Sequence, residues 1–249
     1  MWDERDTWDE WDSWDEWDSW DSWDSWDKDG CRSILCRVLI HVVKISDLAN
    51  KINEKYCEMP AEHTMLVGIS GIDASGKGYV AEKVAKKLES SSLRIALINI
   101  DGWLNLPSVR FSEKDPGVHF YNEALRLDEA FERLIGPLRQ NRQIDITADF
   151  VDEKATEFRP YRYTFQNIDI IIVEGIFLFK RSHAPLFDLR VWIECSFETA
   201  LSRAIQRNQE GLSPSETIQA YERIYFPAQK RHFEVDDPRS AVHIFLAND

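Results

Sequence analysis

The chain has few cysteines and lacks the sequence patterns of common metal sites. Its 249 residues include four cysteines, none of which stands in a CxxC pair. The six histidines form neither an HExxH sequence nor a cluster with cysteine. These absences argue against the usual zinc sites and favour free thiols in a reducing compartment. We therefore expect a cytoplasmic protein.

Long apolar runs are also missing. The longest such stretch near the N-terminus, residues 34–45, is interrupted by Arg37, His41 and Lys44. It is too short and too charged to span a bilayer. The acidic start does not resemble a signal peptide. The sequence predicts no membrane partner.

Most of the chain lacks an excess of basic charge. The formal net charge is −14, and residues 1–30 alone carry 13 acidic and 2 basic side chains. The rest of the chain carries 31 acidic and 28 basic side chains and is nearly neutral. A globular part without a basic excess gives no reason to expect a nucleic acid partner.

Residues 1–30 form a tandem repeat. Tryptophan recurs at every third position from Trp8 to Trp26, and aspartate follows it each time. A period of three places these rings on no single face of a helix or strand, and the dense negative charge opposes collapse. We therefore predict a disordered acidic tail over residues 1–30. Two interpretations stay open. Either the tail is an acidic–aromatic interaction segment, or it has no role and is a repeat expansion or the result of a start site placed too early.

Beyond the tail, strand-like and helix-like segments alternate over residues 31–249. An amphipathic helix packed on the core is predicted over residues 32–56. The strands are predicted over residues 64–70, 93–100, 168–173, 189–195 and 242–246. Helices are predicted over residues 78–89, 127–138, 197–209 and 214–232, a hairpin over 144–151 and 156–165, and a long loop over 104–120. This alternation predicts an α/β fold, with a mostly parallel sheet covered by helices on both faces.

A glycine-rich segment between the first strand and the next helix is the most informative motif. It predicts a phosphate-binding P-loop, because such a loop aims backbone N–H groups and a helix N-terminus at one point. Lys77 would reach the β- and γ-phosphates of a nucleotide. The residue after it is glycine where serine or threonine is usual, so a Mg²⁺ ion would depend on acidic side chains and water. The predicted nucleotide-binding residues are Gly71, Ile72, Asp73, Ala74, Ser75, Gly76, Lys77 and Gly78.

Two acidic residues follow predicted strands. Asp101 ends the strand over residues 93–100, which we expect beside the P-loop strand, and Glu174 ends the strand over 168–173. Ligands of open α/β sheets bind beyond the carboxyl ends of the strands. Asp101 is a candidate base for an attacking hydroxyl, or else a turn cap. Glu174 is a candidate Mg²⁺ ligand, or else a buried acid bonded to backbone.

Arg203 and Arg207 stand four residues apart on one predicted helix, so they share a face. They precede a short polar loop. The pair is a candidate clamp for a transferring phosphate, and a solvated basic face is the alternative.

These segments carry a resemblance to a known family. GISGIDASGKG, Asp101-Gly-Trp, IIIVEGIFLF and SRAIQRN resemble the uridine kinase and phosphoribulokinase group of P-loop kinases, over about residues 33–249. The resemblance implies a three-layer P-loop NTPase fold with a small β-hairpin lid, using ATP and Mg²⁺. It implies that Lys77 binds ATP, that Asp101 is the base and that Glu174 lies near Mg²⁺. It also places Arg203 and Arg207 in the lid.

The segments that would hold the acceptor depart from this family pattern. Uridine kinases carry a histidine and an arginine in a hairpin segment that here reads ADFVDEKA, over residues 148–155. The lid reads QEGL from position 209 instead of Arg-Gly-Arg. Candidate acceptor contacts in this chain, each of which has a structural role as its alternative, are Arg110, His119, Tyr121 and Arg162.

We therefore expect an ATP-dependent kinase that phosphorylates a hydroxyl of a small molecule, with uridine or cytidine as the first candidate. The alternatives are a kinase of another sugar-like or phosphorylated alcohol, a nucleotide-binding regulator without turnover, and an interaction protein acting through the tail. The sequence leaves open whether the protein forms a homo-oligomer.

Overall fold

A computed structural model describes residues 44–60, 62–152, 154–208 and 211–249. The tail predicted over residues 1–30 lies outside these ranges, as does the first part of the helix predicted over residues 32–56. The strands in the described part are β1 Met65–Gly71, β2 Ile95–Asn99, β3 Ile144–Phe150, β4 Arg159–Phe165, β5 Ile170–Glu174, β6 Leu189–Glu194 and β7 Ile244–Ala247.

The α-helices there are α1 Ile45–Cys57, α2 Lys77–Glu89, α3 Pro107–Arg110, α4 Pro116–Glu123, α5 Leu127–Ala130, α6 Gly136–Asn141, α7 Phe197–Arg207, α8 Pro214–Ala220 and α9 Phe226–Asp236. A π-helical turn, Phe131–Ile135, joins α5 to α6, and a second, Tyr221–Tyr225, joins α8 to α9. Short 3₁₀ turns cover Ile100–Gly102, Ala184–Leu186 and Pro238–Ala241.

Five of the strands form a parallel sheet in the order β2-β5-β1-β6-β7, and β3 and β4 form a separate antiparallel hairpin. This order corrects one expectation, because β2 does not lie beside the P-loop strand β1. β5 lies between them and pairs with both. Proximity along the chain suggested the wrong neighbour, since the crossover through α2 skips one strand position that β5 fills later.

Both faces of the sheet are covered, which gives the predicted three-layer P-loop kinase fold. Along β1 the side chains alternate, so that Val67 and Ile69 pack with α1 and α2 while Leu66 joins the core on the other face. Leu48 and Ile52 of α1 are fully buried in the first of these cores. The prediction that the N-terminal helix packs on the core is therefore confirmed for residues 45–57.

The segment over residues 104–120 is not the long loop that was predicted. It contains α3 and the start of α4, and each of these helices has a proline, Pro107 or Pro116, in its first turn. Proline suits that position because its fixed φ is already helical and the first N–H groups of a helix have no partner within it. The prolines taken as loop residues therefore begin helices.

Candidate functional site

The segment between β1 and α2 has the backbone of a phosphate-binding loop. Ala74 has φ of 55° and Gly76 has φ of 87°, both in the left-handed region, and α2 begins at Lys77 directly afterwards. Successive N–H groups in such a turn form a concave anion-binding surface, which the N-terminus of the helix reinforces. Glycine suits this position because side chains rarely adopt such a φ, and a Cβ on Gly76 would also lie 2.5 Å from Nδ2 of Asn248.

Lys77 lies inside this loop rather than on the surface. The residue is only 7% exposed, and its Nζ donates a hydrogen bond of 2.9 Å to the Ile72 carbonyl. The ammonium group is therefore held within the turn that would surround a phosphate. This placement matches the role expected for a P-loop lysine.

The sheet brings Glu174 and Asp101 to the same edge. Glu174 is the last residue of β5 and pairs in register with Ile69 of β1 on one side and Asn99 of β2 on the other. Burial raises the pKa of Glu174 well above its usual range, and the Asp101 carboxylate raises it further. Lys77 lowers it. Two carboxylates and the P-loop lysine thus act on one another electrostatically.

Gly78, the unusual residue of the loop, lies beside Glu174. A Cβ on Gly78 would lie 3.6 Å from Oε1 of Glu174, which is ordinary van der Waals contact. Its φ is not in the positive region, so the position does not demand glycine. The side-chain hydroxyl that most P-loops carry here would therefore point into space beside Glu174.

These residues fit a magnesium ion. Within residues 44–60, 62–152, 154–208 and 211–249 no cluster of three or more His, Cys, Asp or Glu side chains could hold a metal alone. Mg²⁺ does not need such a cluster, because it commonly binds one or two carboxylates together with phosphate oxygens and water. The mutual repulsion of Glu174 and Asp101 is the condition that a divalent cation relieves.

Asp101 lies on the 3₁₀ turn that follows β2, and it does not cap that turn. The cap is Asn99, whose Oδ1 accepts a hydrogen bond of 2.7 Å from the Asp101 N–H. Next to Asp101, a Cβ on Gly102 would lie 2.6 Å from the Phe150 ring, so the hairpin packs directly against this turn. The Val151 N–H also donates to the Gly102 carbonyl at 3.3 Å.

The hairpin presents an aromatic face and a polar face. Phe150, Tyr161 and Tyr163 have their rings in contact, with centroids 5.1 and 4.7 Å apart along the row. On the opposite face Arg162 pairs with Asp145 at 2.5 Å. The aromatic face therefore borders the Asp101 turn, while Arg162, proposed from sequence as an acceptor contact, belongs to the other side.

The remaining acceptor candidates make contacts within the protein. Arg110 is buried and donates to the Asn105 carbonyl at 3.0 Å, and Nε2 of His119 lies 2.7 Å from the Val109 carbonyl. The hydroxyl of Tyr121 donates to Asp236 at 2.5 Å. These bonds give the three side chains structural partners in and around α3 and α4.

Asp236 is the centre of a buried network. Burial alone would raise its pKa, but hydrogen bonds from His232, Tyr121 and the Arg181 N–H lower the pKa to about 2. Burial lowers the pKa of His232 in turn. This network joins α4 and α9 to the segment that follows β5.

The two arginines of α7 have different surroundings. Nη1 of Arg203 donates to the Asn248 carbonyl at 2.7 Å and lies 3.5 Å from Sγ of Cys195. Arg207 is exposed at the end of α7, and its charge lowers the pKa of Glu174. Arg207 therefore acts electrostatically on Glu174, whereas Arg203 is bonded to the backbone of Asn248.

Sequence reasoning missed two residues that contact the P-loop. The buried hydroxyl of Tyr221 donates to Asp73, and the amide of Asn248 donates to the Ser75 carbonyl at 2.7 Å. Tyr221 has no local signal, since it lies 148 residues from Asp73 along the chain. Asn248 did have a local signal, because it is a polar residue directly after a parallel strand.

The parallel sheet, the glycine loop before α2 and the acidic strand ends define a P-loop kinase fold. Residues 66–228 match the model of the phosphoribulokinase / uridine kinase family. The chain therefore belongs to the phosphoribulokinase / uridine kinase family.

One curated relative and two solved structures illustrate what this chain is similar to, and the structures show the fold alone. Uridine-cytidine kinase B of Dictyostelium discoideum is 26% identical over 195 residues, covering 74% of this chain and 78% of that protein. A structure described as a possible uridine kinase from Bacillus stearothermophilus superimposes with a TM-score of 0.64 at 16% identity, covering 82% of this chain and 100% of that one. D-glycerate 3-kinase from Cryptococcus neoformans gives 0.57 at 13% identity, covering 75% and 87%.

The described helices can be compared with what a membrane-spanning helix requires. None of those within residues 44–60, 62–152, 154–208 and 211–249 combines the length and apolar character needed to cross a bilayer.

Proposed function

We propose that this protein is an ATP- and Mg²⁺-dependent kinase that transfers the γ-phosphate to a hydroxyl of a small molecule, with uridine or cytidine as the leading acceptor. One observation carries the proposal. The P-loop with Lys77, the buried Glu174 and the Asp101 turn meet at one edge of the sheet, and the electrostatic coupling of Glu174 to both other residues supports a shared site.

Each residue has a distinct part in this proposal. The P-loop N–H groups and Lys77 bind the β- and γ-phosphates of ATP. Glu174, with Asp101 nearby, would hold Mg²⁺, which neutralises charge on the phosphates. Arg207, which is exposed at the end of α7, would add positive charge near Glu174.

Asp101 is proposed to act as the base. The acceptor oxygen forms a bond to the γ-phosphorus while the bond from that phosphorus to the bridging oxygen breaks, and ADP leaves with the electron pair. The proton of the acceptor hydroxyl passes to the Asp101 carboxylate. Asn99 already caps the turn, which supports a chemical rather than a capping role for Asp101.

The aromatic face of the hairpin supports a planar acceptor. Phe150 packs on Gly102 beside Asp101, and Tyr161 is 47% exposed further along the same face. Aromatic rings stack well on the flat base of a nucleoside. The relative named uridine-cytidine kinase B points the same way.

A second acceptor class is favoured by a different observation. Residues 148–155 lack the histidine and arginine that uridine kinases are expected to carry in this segment, and the fold also matches a D-glycerate 3-kinase. A small hydroxy acid or sugar-like alcohol is therefore the alternative acceptor. A nucleotide-binding regulator without turnover is the non-catalytic alternative, and Gly78 is the residue that suggests it.

An acceptor panel separates these alternatives. ADP release would be measured with MgATP and, in turn, uridine, cytidine, adenosine, D-glycerate, D-fructose and a pentulose phosphate. We expect release to depend on uridine or cytidine. Release only with glycerate or a sugar would establish the second class, and nucleotide binding without release for any acceptor would support the regulator.

A further inference from the structure

The segment after β7 lies directly against the P-loop. Nδ2 of Asn248 donates a hydrogen bond of 2.7 Å to the Ser75 carbonyl, and a Cβ on Gly76 would lie 2.5 Å from the same nitrogen. The contact joins residues 173 positions apart in the chain. It therefore depends on the completed fold and not on the local loop sequence.

The bond fixes the orientation of one peptide group. The Ser75 carbonyl and the Gly76 N–H belong to the same planar trans peptide, so they point in opposite directions. By holding the carbonyl on its own side, Asn248 fixes the Gly76 N–H on the opposite side of this peptide group. That N–H immediately precedes α2, where an anion gains from both the amide and the helix N-terminus.

Asn248 is itself held on two sides. Its N–H donates to the Glu194 carbonyl at 2.9 Å, and its own carbonyl accepts from Nη1 of Arg203 at 2.7 Å. The next residue, Asp249, accepts from the Ser196 N–H at 2.7 Å. The end of β6, the N-cap of α7 and Arg203 within α7 thus hold the chain that carries the Asn248 amide.

We propose that Asn248 is a positioning residue for the nucleotide, which aims the Gly76 N–H at a phosphate, and that Arg203 acts through it. This assignment gives Arg203 a supporting role instead of the phosphate clamp that its spacing from Arg207 suggested. The inference rests on the proposed function, because it requires that the P-loop binds a nucleotide.

The test measures the affinity of the full-length protein for MgADP by calorimetry, together with its melting temperature. Asn248→Asp keeps the shape but replaces the donor with a carboxylate oxygen that repels the Ser75 carbonyl. We expect the dissociation constant to rise about tenfold, because this variant both loses the hydrogen bond and gains the repulsion between the two oxygens. The KM for ATP should rise similarly, while kcat at saturating ATP changes less than about threefold.

Asn141→Ala is the matched control, since its amide also donates to a backbone carbonyl, that of Pro137, at 3.0 Å. It lies in α6 and should leave MgADP affinity unchanged. Should Asn248→Asp fail to fold, Asn248→Ala, which lacks the repulsion, is judged by the same criteria with a weaker expected loss of about threefold.

The possible failures are distinguishable. If the unmodified protein binds MgADP and the Asn248 variants bind equally well, the positioning role is wrong while the proposed function stands. If the affinity for MgADP falls only in proportion to a fall in melting temperature, Asn248 is merely structural, which also contradicts the inference. If the unmodified protein binds no MgADP, the proposed function fails and the inference fails with it.

Discussion

Gly78→Ser restores the hydroxyl that most P-loops carry and places it beside Glu174. A Cβ at position 78 would lie 3.6 Å from Oε1 of Glu174. Since a C–O bond adds about 1.4 Å, a suitable rotamer brings the hydroxyl within hydrogen-bond distance, about 2.7 Å, of that carboxylate. The same position suits a ligand of a metal ion held by Glu174.

Two contributions set the expected stability. Replacing glycine in the first turn of α2 removes excess unfolded-chain entropy, which is worth about 0.5 kcal/mol for serine and about 1 kcal/mol for alanine. A hydrogen bond to Glu174 adds about 1 kcal/mol for serine only. We therefore expect the melting temperature of either variant to rise by about 2–6 °C, given roughly 2–4 °C per kcal/mol for a domain of this size.

The Mg²⁺ requirement separates the two variants. Activity would be measured at saturating ATP and acceptor over a range of Mg²⁺ concentrations. The half-saturating Mg²⁺ concentration should fall about two- to tenfold in Gly78→Ser, because serine adds a ligand. Gly78→Ala should match the parent. Equal Mg²⁺ requirements in all three proteins would refute the view that this position completes the metal shell, and a lower melting temperature in both variants would refute the geometry.

Three further predictions follow from the fold and the sequence. Lys77→Ala should keep the melting temperature within a few degrees of the parent while phosphoryl transfer is lost, since the lysine contacts the transferring phosphate; a purified variant with full activity would contradict this. Deleting residues 1–30 should leave turnover and cooperative unfolding unchanged, because a period of three presents no apolar face to bury, and a large loss of either would show that the tail docks. Tyr121→Phe should lower the free energy of unfolding by about 1–3 kcal/mol in urea titrations, since Asp236 loses a buried donor. Tyr79→Phe, at an exposed tyrosine, should change the free energy of unfolding by less than about 0.5 kcal/mol. If both variants lower that free energy equally, the buried network is not the cause of the loss.

The Asp236 network also sets a direction for acid stability within the same Tyr121 experiment. The pKa of the Asp236 carboxyl is about 2 in the folded protein, below the ordinary value of 3.8. The stabilisation is therefore present above about pH 4 and is lost as pH falls toward 2. In Tyr121→Phe this acid-dependent loss should be smaller, because the carboxylate has one donor fewer.

The parts of the fold that could be predicted from sequence are those with a local cause. The P-loop is recognisable because its glycines, Lys77 and the flanking strand and helix are contiguous. Asp101 and Glu174 could be placed at one edge because all parallel strands of a sheet end on the same side. Neither inference required knowledge of the strand order.

The errors and omissions have non-local causes. The predicted neighbour of β2 was wrong because the strand order depends on where β5 inserts. That position is decided by pairing between strands and cannot be read from the sequence pattern of β2. Pro107 and Pro116 were taken for loop residues because proline ends helices as well as beginning them. Asn248 and Tyr221 were missed because the chain returns to the P-loop only after the sheet is complete.

The most direct test of the account is a label-transfer measurement with the Asp101→Asn variant. The protein would be incubated with ATP labelled at the γ-phosphate and with the best acceptor from the panel, and labelled acceptor and labelled inorganic phosphate would be separated. We predict that the parent labels the acceptor. Asp101→Asn should bind ATP normally yet transfer about 10²–10⁴-fold more slowly, without rescue by excess Mg²⁺. Equal transfer by both proteins, or label appearing only in inorganic phosphate, would contradict the assignment of this site as a kinase centre with Asp101 as its base.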